Sequence, residues 1–176
     1  MTNEGSGEAP ASSRGRKILA CVDGSANSRV AAAFAARLAR LTGAHLSLLH
    51  VLHLPTFSHW VGIKSQMKRE IREQAEAMVD EVARGVEESC GVMPEIFLLE
   101  GLPRERIVAT VQGDPAIRMV VVGASGEQGH RRSAVTGSLA RHLGERLTAD
   151  LSCPLLIVPP DMEPDELCAG IEAIAR

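Results

Sequence analysis

Apolar residues along this chain fall alternately into short continuous runs and into helical repeats. The continuous runs are bounded by glycine, proline or charged residues, which is typical of strands that are covered on both faces. The five predicted strands are Lys17–Val22, Ala44–Leu52, Glu95–Leu99, Met119–Val122 and Pro154–Val158.

Between these runs, apolar residues recur every three or four positions, which predicts amphipathic helices. Either Ser25 or Ser28 can cap the first helix, and Gly43 ends it. The predicted apolar faces are Val30, Phe34, Leu38 and Leu41 in the first helix; Ile63, Met67, Ile71, Ala75, Met78, Val82 and Val86 in the second; Ile107, Val108 and Val111 in the third; and Leu139, Leu143, Leu147 and Leu151 in a fourth that opens at Ser138.

Strands that alternate with helices predict an α/β protein of three layers, in which helices cover both faces of a five-stranded, mostly parallel sheet. We expect the Rossmann-like strand order 3-2-1-4-5. In such a sheet, ligands bind at the carboxyl ends of the strands where the order reverses, which is between the first and fourth strands. Asp23 and Gly24 then lie beside Gly123.

The length of 176 residues predicts one domain. Residues 1–15 are rich in Gly, Ser, Pro and Ala, and we expect a disordered lead-in. The domain then covers residues 16–160, and residues 161–176 form an acidic, weakly helical tail.

Composition narrows the function classes. The net charge of −3 and the scarcity of aromatic residues, three Phe, one Trp and no Tyr, argue against a nucleic-acid binder that stacks bases. No apolar run approaches the ~20 residues of a membrane span, and the N-terminus lacks the apolar segment of a secretion signal. Cys21, Cys90, Cys153 and Cys168 show no metal-ligand spacing, so we expect a cytoplasmic protein with reduced thiols.

The stretch Arg118–Leu139 carries the strongest chemical signal. An apolar strand is followed by a loop with Gly123, Gly126 and Gly137, and then by a helix that opens at Ser138. Glycines let the backbone approach a ligand, and free N–H groups at a helix start favour an anion. The alternative is that these glycines serve turn geometry alone. The loop residues His130, Arg131 and Arg132 either neutralise a triphosphate or are simply solvated.

Asp23 closes the first strand and can accept hydrogen bonds from a ribose hydroxyl or an adenine amine. Alternatively, its carboxylate caps its own turn. The sequence of this turn is Asp–Gly–Ser rather than G-x-G-x-x-G, which argues against an NAD or FAD enzyme.

Six segments, in this order, resemble the universal stress protein family: KILACVDGS, LSLLHVL, GLPRERIVATV, VVVGASG, TGSLARHL and PLLIVPP. They span Lys17 to Pro160. The resemblance implies the adenine nucleotide alpha hydrolase-like variant of the fold. It also implies a nucleotide site with adenine and ribose near Asp23 and Val51, backbone contacts at Val122 and Gly123, and phosphates near Gly126, Gly137, Ser138 and Leu139.

Members of this family that bind ATP carry the motif G-x2-G-x9-G-[ST]. Here Gly123-x2-Gly126 is followed by ten residues before Gly137–Ser138, so the loop is one residue longer. Gly129 could absorb the extra residue as a bulge. The three glycines and the serine favour the ATP-binding subgroup, with ATP, and Mg²⁺ beside it, as the expected ligand.

We therefore expect an ATP-binding stress-response or regulatory protein, with slow ATP hydrolysis at most, since no residue stands out as a catalytic base. The alternative is a nucleotide-free homodimeric interaction module. Family members dimerise through the fifth strand, here Pro154–Val158, so a homodimer is expected in either case. We expect no metal site: strand geometry turns His50 away from His53 and His59, and no cysteine or carboxylate completes a set.

Overall fold

The computed structural model describes residues 15–52, 61–124 and 150–159, together with the single positions 166, 169, 170 and 173, which are helical. The predicted fourth helix lies outside the described residues apart from positions 150 and 151, which are not helical. The described elements are β1 (Lys17–Cys21), α1 (Ala26–Thr42), β2 (His45–Leu52), α2 (Val61–Cys90), β3 (Glu95–Glu100), α3 (Pro103–Gly113), β4 (Ile117–Gly123) and β5 (Leu155–Val158).

The sheet has five strands, all paired in parallel, in the order β3-β2-β1-β4-β5. The predicted fold and strand order are therefore confirmed. β2 pairs with one side of β1 and β3 pairs with β2, whereas β4 pairs with the other side of β1. Cys21 of β1 stands in register with Val122 of β4, so the carboxyl ends of these two strands are neighbours.

The sheet is covered on both faces, because alternate strand residues point to opposite sides. Ile18, Ala20 and Val22 belong to the core shared with α1 and α2. Leu19 and Cys21 belong to the core shared with α3. The result is the predicted three-layer arrangement, with α1 and α2 in one outer layer and α3 in the other.

The packing face of α1 differs in part from the prediction. Phe34 is buried, and Val30 and Leu38 are half-buried and pack against the core, as expected, but Leu41 is 42% exposed. The sequence pattern was weighted toward large side chains, whereas the helix packs through small ones that let it lie close to the sheet. Its buried alanines are Ala31, Ala32, Ala35, Ala36 and Ala39.

Among the described side chains of α2, residues 66–90, full burial is confined to the C-terminal part. Its buried residues run from Ala75 to Cys90, while Met67, which we expected in the core, is 41% exposed. Residues 66–73 are instead mostly charged, with ion pairs such as Arg69–Glu73 at 2.7 Å along the helix and a Lys68–Glu100 pair at 2.8 Å to the end of β3. None of the helices in the described ranges combines the length and the apolarity that crossing a membrane requires.

Candidate functional site at the carboxyl ends of β1 and β4

The turn after β1 is held by the Asp23 carboxylate. Its Oδ1 accepts hydrogen bonds from the Ser25 backbone N–H at 3.0 Å and from the Ser25 hydroxyl at 2.6 Å. Between these residues Gly24 takes a φ of 81°, a conformation that favours glycine. The turn-capping interpretation of Asp23 is therefore correct for Oδ1. Within the described part of the chain, Oδ2 of the same carboxylate accepts no hydrogen bond.

Ser25, rather than Ser28, caps α1. The Ser25 hydroxyl oxygen accepts a hydrogen bond from the Ser28 backbone N–H at 3.1 Å. Ser28 is buried and donates its hydroxyl to the Ser25 carbonyl at 2.9 Å. The first turn of α1 is thus tied to the Asp23 turn by a closed set of short hydrogen bonds.

Gly123, the last residue of β4, lies directly against this first turn. A Cβ atom at this position would stand 2.6 Å from the carbonyl oxygen of Asn27 and 2.8 Å from its carbon. Both are backbone atoms, so no side-chain rotation relieves the contact. The sequence suggests that this glycine serves ligand approach, which stays a prediction; the structure shows that the close approach of α1 requires it.

The loop after β4 leaves the sheet from a fixed residue. Ala124 donates its N–H to the carbonyl of Val158 in β5 at 2.7 Å. Its own carbonyl accepts a hydrogen bond from the Asn27 side-chain amide, also at 2.7 Å. Asn27 was not singled out from the sequence, because a polar residue in the first turn of a helix is common and its partner lies 97 positions away.

The end of β2 lies on the other side of β1. The β1–β2 register ends at Cys21 and Leu49, and beyond it the Val22 carbonyl oxygen lies 2.8 Å from Nδ1 of His50. A carbonyl only accepts, so this contact assigns the hydrogen to Nδ1. The imidazole thus satisfies the carbonyl where the ladder has stopped, a role that the sequence analysis missed.

Val51 presents its peptide groups to the same edge. Successive residues of a parallel strand direct their N–H and C=O groups alternately to the two neighbouring strands. Leu52 accepts from Gly101 at 3.0 Å on the β3 side, so the N–H and C=O of Val51 face the β1 side, above the point where the β1–β2 register ends. The structure thus brings Asp23, Val51 and Gly123 to one edge of the sheet; their roles toward a ligand stay predictions.

Two further residues at this edge, the predicted site residue Val122 and the predicted core residue Cys21, have buried side chains. The side chain of Val122 is buried in the core shared with α3, so this residue can offer a ligand only its backbone. Burial, and secondarily the nearby Asp23 carboxylate, raise the pKa of the Cys21 thiol to about 12. Cys21 therefore carries no thiolate at neutral pH and is a small core residue, as predicted.

The phosphate half of the predicted site lies outside the described residues. This applies to Gly126, Gly137, Ser138 and Leu139, and to the basic residues His130, Arg131 and Arg132. Their roles stay predictions. Within residues 15–52, 61–124 and 150–159, the structure contains no group of three His, Cys, Asp or Glu side chains that could hold a metal ion.

A separate cavity of about 640 Å³ lies at the opposite, amino edge of the sheet. Its wall includes Lys17, whose ammonium group lies 2.8 Å from both Glu95 and Asp114. The hydrogen bonds to Asp114 and then to Glu95 raise the pKa of Lys17. These charges satisfy one another, which is typical of a structural ion-pair network.

Comparisons with known proteins agree with this architecture. The model of the universal stress protein family matches residues 15–159. Universal stress protein UspA from Lactobacillus plantarum superposes with a TM-score of 0.66 at 20% identity, over 82% of this chain and 98% of that chain. A universal stress protein family protein from Arabidopsis thaliana with AMP bound superposes with a TM-score of 0.55 at 16% identity, over 86% of this chain and 94% of that chain. A universal stress protein in complex with cAMP superposes with a TM-score of 0.55 at 19% identity, over 82% of this chain and 97% of that chain. Among curated protein sequences, none matches this chain.

Proposed function

The chain belongs to the universal stress protein family, and on that premise we propose that it binds ATP, with Mg²⁺, at the carboxyl ends of β1 and β4. The observation that carries this proposal is the meeting of three unlike groups at one edge: a carboxylate oxygen of Asp23, the peptide groups of Val51 and the glycine end of β4. This is also the point where the strand order reverses, which is where sheets of this type bind ligands.

Each group suits one part of an adenine nucleotide. The free Oδ2 of Asp23 can accept a hydrogen bond from a ribose hydroxyl. The paired N–H and C=O of Val51 match an adenine edge, which offers a ring-nitrogen acceptor beside an amino donor. Val122 and Gly123 contribute backbone contacts. Gly126, Gly137, Ser138 and Leu139 hold the phosphates through backbone N–H groups and the serine hydroxyl.

Two relatives support the class of ligand. AMP and cAMP, bound in the Arabidopsis thaliana protein and in the cAMP complex, share adenine, ribose and one phosphate. The choice of ATP rests on the glycine spacing of this chain. We propose a cytoplasmic role in stress response or regulation, with slow ATP hydrolysis at most, because no residue stands out in the sequence as a catalytic base.

Calorimetry of the full chain with ATP, ADP and AMP, with and without Mg²⁺, tests this proposal. We expect binding of ATP, and at least tenfold weaker binding of GTP, because guanine presents a donor and an acceptor where adenine presents an acceptor and a donor, and so would face the Val51 N–H with a donor and the Val51 C=O with an acceptor. Gly126→Val should abolish ATP binding and leave the fold intact. No heat of binding at millimolar ATP would remove the nucleotide function altogether.

A second candidate is a homodimeric interaction module that works without nucleotide. β5 is an edge strand, paired only with β4 in the described sheet, and its Ile157 is 41% exposed. An apolar edge of this kind favours pairing with a second chain. We propose that two copies associate through Pro154–Val158. Sedimentation should give a dimer at micromolar concentration, and Ile157→Lys should shift it to monomer; a monomeric wild-type protein would refute the interface.

A further inference from the structure

We propose that Asn27 is a positioning residue: it fixes where the glycine loop leaves β4 and so determines how tightly the protein holds the phosphates of a nucleotide, as distinct from its adenosine part. This inference rests on the nucleotide site proposed above. In this proposal, the first turn of α1 influences which ligands bind without touching the ligand itself.

The side chain of Asn27 holds the first residue of the loop. Its Nδ2 donates to the Ala124 carbonyl at 2.7 Å, while the Ala124 N–H donates to Val158 at 2.7 Å. Ala124 is therefore held from both sides, by α1 and by β5. Both backbone groups of Ala124, the last described residue before the loop, are therefore engaged by these two bonds.

The backbone of Asn27 sets the distance between α1 and β4. Gly123 lies so close that a Cβ atom would stand 2.6 Å from the Asn27 carbonyl oxygen and 3.0 Å from the Ser28 nitrogen. The same turn of helix begins at Ser25, whose N–H and hydroxyl both donate to Oδ1 of Asp23. One helical turn thus contacts both sides of the crevice between the ends of β1 and β4. One side is the Asp23 carboxylate, and the other is the start of the loop at Ala124.

The two sides serve different parts of the ligand. Asp23 and Val51 are assigned to ribose and adenine, and neither of these contacts passes through Ala124. The phosphates are assigned to loop residues that follow Ala124. If Asn27 only stabilised the fold, its loss would weaken the binding of every ligand by a similar factor. If it positions the loop, its loss weakens binding more for ligands that carry more phosphates.

The test compares adenosine, AMP and ATP by calorimetry on the full chain. Asn27→Leu is close in size and removes the donor. We expect its ATP dissociation constant to rise about tenfold, its AMP constant to rise less, and its adenosine constant to stay within twofold of wild type, a pattern in line with the loss of one positioned hydrogen bond. Asn27→Ser, whose side chain is too short to reach Ala124 but which suits a first helical turn, should reproduce it.

Thr42→Val is the matched control. It removes another side-chain hydrogen bond to a backbone carbonyl, Thr42 to Leu38 at 2.8 Å, at the far end of the same helix. We expect no change in its ratio of ATP to adenosine affinity. The proposal would be overturned if both Asn27 variants bound adenosine and ATP more weakly by the same factor, or if their ratio of ATP to adenosine affinity equalled that of Thr42→Val.

A measurement without ligand separates this inference from the nucleotide function. Amide hydrogen exchange should accelerate in Asn27→Leu at Ala124 and the residues directly after it, and not in β1 or β2. If the wild-type protein binds no nucleotide, the proposed function fails, yet this exchange pattern still tests whether Asn27 holds the loop. Unchanged exchange at Ala124 would refute the positioning role on its own.

Discussion

Replacing Gly123 by alanine tests the closeness of α1 and β4 directly. The new Cβ atom would stand 2.6 Å from the Asn27 carbonyl oxygen, and ordinary contact begins at 3.4 Å, so the first turn of α1 must move by 3.4 − 2.6 = 0.8 Å. Overpacking against rigid atoms costs about 1–3 kcal/mol. The same movement stretches the 2.7 Å Asn27–Ala124 hydrogen bond, which adds about 1 kcal/mol. We therefore expect Gly123→Ala to lower the free energy of unfolding by about 2–4 kcal/mol.

Urea denaturation, followed by circular dichroism on ligand-free protein, measures this loss. Gly85→Ala is the control, because Gly85 lies within α2 and nothing stands within 4 Å of a Cβ atom placed there. Alanine at that position should raise the free energy of unfolding by about 0.5–1 kcal/mol. A Gly123→Ala protein within about 0.5 kcal/mol of wild type would refute the reasoning, since α1 would then yield to the added methyl group.

Three further perturbations address the turn after β1. Gly24→Ala puts a side chain at a φ of 81° with its Cβ 3.2 Å from Met78 Cγ, and thermal unfolding should report a loss of about 1–3 kcal/mol; an unchanged Tm would contradict this. Ser25→Ala removes the cap of α1 and should cost about 1–2 kcal/mol, which Ser25→Thr should largely restore. The pKa of Cys21 is raised from 9.0 to about 12 in the folded protein, so above pH 9 the unfolded chain binds fewer protons and stability falls. The difference of about 3 between these pKa values corresponds to at most about 4 kcal/mol by pH 12. Cys21→Ala should flatten that slope in alkaline denaturation, and an equally steep slope in the variant would refute the assignment.

The sequence predicted those parts of the fold that follow from local patterns. Five apolar runs separated by helical repeats are sufficient to indicate a parallel sheet with helices on both faces, and the Asp–Gly–Ser turn correctly placed the start of α1. The packing faces were harder to predict. Leu41 of α1 and Met67 of α2 look like core residues in the periodicity, yet each is more than 40% exposed, because tertiary packing and not hydrophobicity alone decides which side of a helix is covered.

The candidate site shows the same division. The meeting of Asp23 and Gly123 was predictable because it depends only on the strand order. The contacts of Asn27 with Ala124 and of His50 with Val22 were not, because they join residues 97 and 28 positions apart through side chains whose reach depends on the final packing. Strand alternation predicts that His50 points away from His53 and His59; near the end of β2 its ring reaches the Val22 carbonyl, beyond the last paired residue of β1.

The alanines on the inner face of α1 affect the spacing between α1 and β4, although none of them lies at the carboxyl ends of the strands. Because Ala31, Ala32, Ala35, Ala36 and Ala39 are all fully covered, they act together as a thin spacer, and the thinness of that spacer is what lets the helix start touch bare backbone at Gly123. A bulkier residue at Ala35 would tilt the helix outward and widen the gap above the strands without altering any group that lines it. The spacing between the carboxyl ends of the strands and the start of α1 is therefore open to adjustment from within the hydrophobic interior.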